Sequence, residues 1–223
     1  MSNISVFEIM GPIMIGPSSS HTAGAEKLGK AASSIWGRSF DAVEFYLHGS
    51  FAKTYKGHGT DKALVAGILG MSADDERLRD SMNIAESRGI KTDFIEVDLG
   101  DVHPNTVKIV IKDKDQLMLT LVGSSIGGGN IIITEVDGSE LEISGQYPVI
   151  IATHKDTRGM VSKITGVIAE HQLNIATLEV SRESRGETAT TVIEIDSAAP
   201  DSIINEILQI ENVISVRVLN AIE

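Results

Sequence analysis

Tyr147 to Thr153 reads Tyr-Pro-Val-Ile-Ile-Ala-Thr, and Gly159 to His171 reads Gly-Met-Val-Ser-Lys-Ile-Thr-Gly-Val-Ile-Ala-Glu-His. The first is a run of mostly β-branched residues of the kind that forms a strand. The second spaces Val161, Ile164, Val167 and Ile168 three or four apart, as on the apolar face of a helix. Ile175–Glu183 and Thr188–Ile195 then alternate as strands do. Asp201–Gln209 is helical again behind Pro200, and Val213–Leu219 alternates once more. The order is βαββαβ, a ferredoxin-like arrangement with two helices on one face of a four-stranded antiparallel sheet. Such a sheet has edges that must be paired or protected, and Thr188–Ile195 is expected as an outer strand on which a second copy pairs.

Upstream of this unit, Asn130–Val136 and Glu140–Ser144 read as a hairpin joined by Asp137-Gly138-Ser139, since Asp-Gly between alternating apolar runs is a strong turn signal. A boundary is expected near Ser144–Tyr147, giving one domain over residues 1–145 and another over 147–223. The first domain alternates less regularly. It reads as a strand at Ser5–Ile9, a helix at Thr22–Ser34 and a strand at Ala42–Leu47. Helices at Thr60–Leu69 and Asp74–Ser87 follow, then strands at Thr92–Val97, Val107–Ile111 and Gln116–Ser124. The fold class is therefore α/β (α+β), a mixed α/β domain followed by the βαββαβ unit.

Composition excludes several classes of function. The 223 residues carry a formal charge of −12 and no basic run, which argues against nucleic acid as a partner. No stretch approaches the roughly 18 uninterrupted apolar residues of a membrane span. The opening Met-Ser-Asn-Ile-Ser has neither the positive start nor the apolar core of a signal peptide, so a cytoplasmic protein is expected. Cysteine is absent, which excludes disulfides, a thiol nucleophile, a Cys-ligated zinc and a self-supplied iron–sulfur cluster. No His/Asp/Glu set has the spacing of a zinc or calcium site.

Three stretches are candidates for chemistry. Gly16 to Gly24, Gly-Pro-Ser-Ser-Ser-His-Thr-Ala-Gly, places Ser18, Ser19, Ser20, His21 and Thr22 at the start of a helix. Serine hydroxyls there can accept bonds from the first free N–H groups, which also suit a carboxylate or phosphate. Ser50 to Lys62 places His58 between Gly57 and Gly59 in an expected loop, with Thr60 or Asp61 capping the next helix and Lys53, Lys56 and Lys62 supplying positive charge. Imidazole is the natural acid or base near neutral pH. Gly123 to Asn130 is glycine-rich but lacks the P-loop ending and the Rossmann spacing, so a sharp strand-to-strand connection is the simpler reading. A Ser-His-Asp hydrolase built from Ser18–Ser20, His21 and Asp61 lacks the Gly-x-Ser-x-Gly elbow. His48, His103 and His171 stand at a strand end, in a loop and at a helix end, and carry weaker signals.

Gly16–Gly24 taken with Tyr55–Lys62 closely resembles the β subunits of bacterial iron–sulfur-dependent L-serine dehydratases, and the resemblance runs over essentially the whole chain. The βαββαβ unit resembles an ACT domain. The first part also resembles the allosteric substrate-binding domain of some phosphoglycerate dehydrogenases. The resemblance implies deamination of L-serine to pyruvate and ammonia through an aminoacrylate intermediate, an activity of amino-acid catabolism and gluconeogenesis. It implies a four-iron four-sulfur cluster supplied by a cysteine-bearing α subunit, none being bound by this chain alone. It implies His21 and His58 as catalytic residues reaching towards a shared site. Ser18, Ser19, Ser20, Thr22, Lys56, Gly57, Thr60 and Asp61 would bind substrate or effector there. It further implies an ACT ligand site at Asp156, Gly159 and Asn174, and self-association through the ACT domain. A freestanding amino-acid sensor without a catalytic role is the competing reading.

Overall fold

The computed structural model describes residues 12–182 and 184–222 and divides the chain into two compact units, one ending at Gly138 and one beginning at Ser139. The expected strand Ser5–Ile9 lies outside the described residues.

The first unit opens with a wide π-helical turn, Ser20–Gly24, that runs straight into α1 (Ala25–Trp36). Gly37 ends α1 in the left-handed conformation, its N–H donating to the Ser33 carbonyl at 2.9 Å. β1 (Ala42–Leu47) follows, then α2 (Gly49–His58) and α3 (Thr60–Ile68). The expected loop at Ser50–Lys62 is thus helical. Gly59, at φ 73°, is the left-handed joint where α2 stops and α3 starts, and with Gly57 two residues earlier it made helix look like loop. The single helix expected at Asp74–Ser87 is broken into a 3₁₀ turn, Glu76–Asp80, and α4 (Ser81–Ser87). The Asp75 carboxylate caps that turn by accepting from the Arg77 N–H at 2.9 Å.

The strands of this unit are β2 (Lys91–Glu96), β3 (Thr106–Asp113), β4 (Gln116–Gly127) and β5 (Asn130–Val136), which with β1 lie in the order β2-β1-β3-β4-β5. β1 and β2 are parallel and the other neighbours antiparallel. Parallel pairing needs a long crossover, and α2, α3 and α4 supply it. Val43, Phe45 and Leu47 alternate inward along β1 and join Ile109, Ile111, Leu119 and Leu121, all fully buried. The strand-to-strand connection expected at Gly123–Asn130 is present but shorter: β4 runs on to Gly127 and only Gly128–Gly129 turn into β5, with positive φ at Gly127, Gly128 and Gly129.

Helices α1 and α3 cross at two glycines. A Cβ added at Gly67 would lie 1.9 Å from the Glu26 carbonyl oxygen, and one at Gly29 would lie 2.2 Å from the Leu64 carbonyl oxygen. Both obstacles are backbone and cannot rotate away, so the helices themselves would have to separate. Gly67→Ala is expected to destabilise the protein by about 3 kcal/mol, the upper part of the overpacking range. Gly57→Ala, whose Cβ meets nothing within 4 Å, should be neutral or slightly stabilising, as Ala is a better helix former. Urea unfolding of both variants checks this, and an unchanged midpoint for Gly67→Ala would refute the close crossing.

At Asp137 and Gly138 both φ angles are positive, 50° and 82°, as a two-residue hairpin turn requires. The chain there passes into β6 (Ser139–Ile143) and the second unit: β7 (Val149–Lys155), α5 (Met160–Glu170), β8 (Ile175–Arg182), β9 (Thr188–Ile195), α6 (Asp201–Leu208) and β10 (Val213–Leu219). The four-stranded sheet has the order β10-β7-β9-β8, all antiparallel. Its core gathers Ile150, Ile164, Ile168, Ile193, Ile203 and Ile207, all fully buried. This is the ferredoxin-like βαββαβ arrangement. One expectation is overturned: Thr188–Ile195 is not an outer strand but sits between β7 and β8. The β7–α5–β8 crossover skips one place and β9 turns back into the gap, so β9 is buried on both faces from Ala189 to Ile193. The outer strands are β8 and β10, and β8 exposes Leu178 and Val180.

Candidate active site

The Ser-rich turn is shaped by close packing at its two glycines. A Cβ at Gly16 would lie 2.0 Å from Thr22 Oγ1, and one at Gly24 would lie 2.0 Å from Ser125 Oγ. With both approaches this tight, the backbone winds wide: the Gly24 N–H donates to the Ser19 carbonyl five residues back, at 2.9 Å. The turn drives His21 inward, leaving it 8% exposed. Of the three serines expected to cap the helix, only Ser18 does so in part, accepting from the His21 N–H at 3.4 Å, while Ser19 makes no side-chain cap. Ser20 opens the turn.

Around the His21 ring the hydrogen bonds define one tautomer. Ser18 Oγ stands 3.3 Å from Nδ1, while Thr54 Oγ1 and Ser50 Oγ stand 3.1 and 3.3 Å from Nε2. The Thr54 hydroxyl donates its hydrogen to the Ser50 carbonyl at 2.8 Å, so it faces Nε2 with a lone pair. Assigned from this pattern, Nε2 carries the proton and Nδ1 accepts from the Ser18 hydroxyl. The ring is neutral. Burial, and then the charge of His58, hold its pKa below the usual 6.5. A depressed histidine gives stability that is full above 6.5 and is lost as pH falls through the folded value.

His58 meets His21 edge-on, with ring centroids 4.8 Å apart, and Phe51 packs on His21 in the same manner at 5.3 Å. Unlike His21, His58 is exposed. It lines a cleft of about 320 Å³ together with Gly16, Pro17, Lys56 and Gly57. The two histidine stretches, 37 positions apart in the chain, therefore meet at one site, with His58 on the cleft wall and His21 buried against the His58 ring. His58 was expected in a loop but ends α2, whereas His21 lies at a helix start as expected and is buried because the π turn points it at α2.

The remaining candidates divide. Lys56 and Gly57 line the cleft. The hydroxyls of Thr22 and Thr60 are buried without a hydrogen-bond partner. Asp61 accepts from the Lys62 N–H at 2.8 Å and contacts neither histidine ring, and burial raises its pKa. Neither Thr60 nor Asp61 caps α3, because Gly59 holds that position. Without a carboxylate on His21 the Ser-His-Asp triad has no third member. In the second unit the three expected ligand residues make separate contacts. Asp156 accepts from the Gly186 N–H at 3.1 Å and from Arg182 at 3.2 Å, and these two bonds lower its pKa. Asn174 donates to Asp196 at 2.6 Å, and Gly159 precedes α5 at φ 86°.

Sequence reading missed Ser50 and Thr54 as site residues. The signal was present: Ser50, Thr54 and His58 recur every four residues, which is one face of a helix. It also passed over His154, which is buried on β7 with Nε2 2.9 Å from Thr191 Oγ1.

The family described as serine dehydratase beta chain matches residues 5–93, which hold both histidine stretches, and the ACT domain matches residues 149–212. The "probable L-serine dehydratase, beta chain" of Bacillus subtilis (strain 168) is 46% identical over 95% of this chain and 96% of its own length. The "L-serine dehydratase, beta chain" of Peptoniphilus asaccharolyticus is 42% identical over the same shares. The chain belongs to the L-serine dehydratase β-chain family. A "D-3-phosphoglycerate dehydrogenase" of Methanocaldococcus jannaschii is 26% identical over 88% of this chain but only 37% of its own length. For a β chain of this family, the question of a metal centre falls to its own side chains. It has no cysteine, and among the described residues no three His, Asp or Glu lie together as a metal ion needs. These side chains do not fit an iron–sulfur cluster. Among the described residues no helix is long and apolar enough to cross a membrane.

Proposed function

We propose that this chain is the β subunit of an iron–sulfur-dependent L-serine dehydratase and acts with a cysteine-bearing α subunit that holds the four-iron four-sulfur cluster. The observation that carries the reading is the pairing of a buried, neutral His21 with an exposed His58 on the wall of a cleft, within the segment matching the β-chain family. L-Serine loses its Cα proton and its hydroxyl as water, leaving aminoacrylate, which tautomerises and hydrolyses to pyruvate and ammonia. His58, exposed in the cleft, is the group placed to take the Cα proton. His21 does not reach solvent as freely and acts as its positioning residue, held by Ser18, Ser50 and Thr54.

The second unit is proposed to join copies of the chain, supported by the exposed apolar residues on edge strand β8. The competing role, an amino-acid sensor acting on some other protein, is favoured by the dehydrogenase similarity. Purification decides between them. The chain alone is expected to show no serine dehydratase activity and to bind no iron. Co-expressed with its α partner it should yield a brown, active complex. Stoichiometric iron and sulfide in the isolated chain would overturn the assignment of the cluster to the partner. Full activity of the α subunit by itself would favour the sensor.

A further inference from the structure

The cleft beside His58 is bordered by three cations from three different segments: Lys56 at the end of α2, Lys62 in the first turn of α3, and Arg79 in the 3₁₀ turn. In a chain of net charge −12 such a gathering is against the average. Among the described residues, moreover, no carboxylate lies within ion-pair distance of any of the three. Asp61, their near neighbour, accepts from the Lys62 backbone N–H and attracts Lys62 and Lys56 at longer range without an ion pair to either. Other cations of this unit differ: Arg77, two residues before Arg79, is held by Asp75, and Lys112 on β3 is held by Glu44. The rest of the lining is apolar or backbone, from Ile15, Gly16, Pro17 and Leu78. Three cations held in no ion pair around a small concave site, against one nearby carboxylate, favour an anion there.

We propose that Lys62 and Arg79 bind the carboxylate of the small amino-acid substrate in this cleft, and so hold it beside His58. The proposal rests on the dehydratase reading of the site and names residues that reading leaves out. A guanidinium matches a carboxylate with two parallel N–H bonds, and an ammonium adds a point charge without imposing direction. Lys56, whose ammonium lies 5.5 Å from the Tyr55 ring centre, is already directed by that ring and contributes field rather than contact.

The test is a titration of the ¹⁵N-labelled full chain with L-serine, L-serinamide and inorganic phosphate, following the amide signals of Gly57 and Gly59. L-Serine is expected to shift both signals and L-serinamide, which lacks the carboxylate, to shift neither. Lys62→Met and Arg79→Met should each weaken the L-serine response by ~10-fold or more, the usual loss for a charge-assisted contact. Arg77→Met, outside the cleft, should leave it unchanged. The proposal is overturned if L-serine shifts nothing, if L-serinamide does as well, if either cleft variant binds as the parent does, or if phosphate binds more tightly than L-serine. Its failure is separable from that of the function. L-Serine binding through Lys62 and Arg79, in a chain whose α–β assembly lacks dehydratase activity, leaves the carboxylate site standing and sinks the enzyme. An active assembly whose β chain fails the titration does the reverse.

Discussion

In the proposed α–β enzyme, His58→Asn is expected to lower turnover of L-serine by about 10²-fold or more, the contribution usual for an acid–base group. The fold should survive, because the ring is exposed and asparagine is tolerated near a helix end. His21→Asn should lose activity on the same scale for a different reason. Its ring is buried, and shortening it takes away the contact of the Ser50 hydroxyl, at roughly 1–3 kcal/mol if that group is left unpartnered. Thr54 keeps its bond to the Ser50 carbonyl and Ser18 its bond from the His21 N–H. Thermal unfolding beside steady-state kinetics separates the two variants: His58→Asn loses kcat alone, whereas His21→Asn loses kcat and melting temperature together. Near-normal turnover with weakened cooperativity for serine would assign both residues to an effector site instead.

Glu26→Gln carries the second large effect, and it is a gain. Glu26 lies on α1 at 1% exposure, and its Oε1 has no hydrogen-bond partner. Burial raises its pKa from 4.5 to about 7, against the pull of Lys30 and Lys27 and with the help of Asp74. Below pH 4.5 both folded and unfolded chains hold the proton, and the contribution to stability is complete. Between 4.5 and 7 the unfolded chain ionises and the folded one resists, so stability falls by about 1.4 kcal/mol per pH unit. Above 7 the loss levels off at roughly 3 kcal/mol. Glutamine cannot ionise, so the variant should match the parent at pH 4 and exceed it by roughly 3 kcal/mol at pH 8. Chemical denaturation at the two pH values measures this, and a difference independent of pH would refute it. His21 slopes the other way on acidification, so the comparison must be between variants at one pH.

Much of the second unit was legible because each of its elements repeats one period cleanly. The strands alternate, and Val161, Ile164, Val167 and Ile168 mark their helix without ambiguity. What alternation cannot carry is order across the sheet, and β9 was misplaced at the edge for that reason. The first unit was harder because its functional helix is written in residues that usually spell a loop. Gly49, Gly57 and Gly59 surround α2, yet only Gly49 and Gly59 adopt the left-handed conformation, and Gly57 is an ordinary helical residue. The site histidines themselves were visible as motif residues. The hydroxyls that set the tautomer of His21 were not, since Ser50 and Thr54 become meaningful only when the π turn is folded against α2. Arg79 was hidden more deeply, in a turn that contacts the cleft through space alone.

The edge-on meeting of the two imidazoles has a kinetic meaning as well. Two cationic rings 4.8 Å apart repel, so a proton resting on His58 makes the next one harder to place on His21. The acidic limb of a pH–rate profile for the proposed α–β enzyme would then carry the lowered protonation of His21, set first by burial and then by the neighbouring ring. Taking His58 away lifts part of that repulsion, and the protonation of His21 moves to higher pH. Part of the resistance of His21 to protonation is in this sense a property of the distance between two side chains.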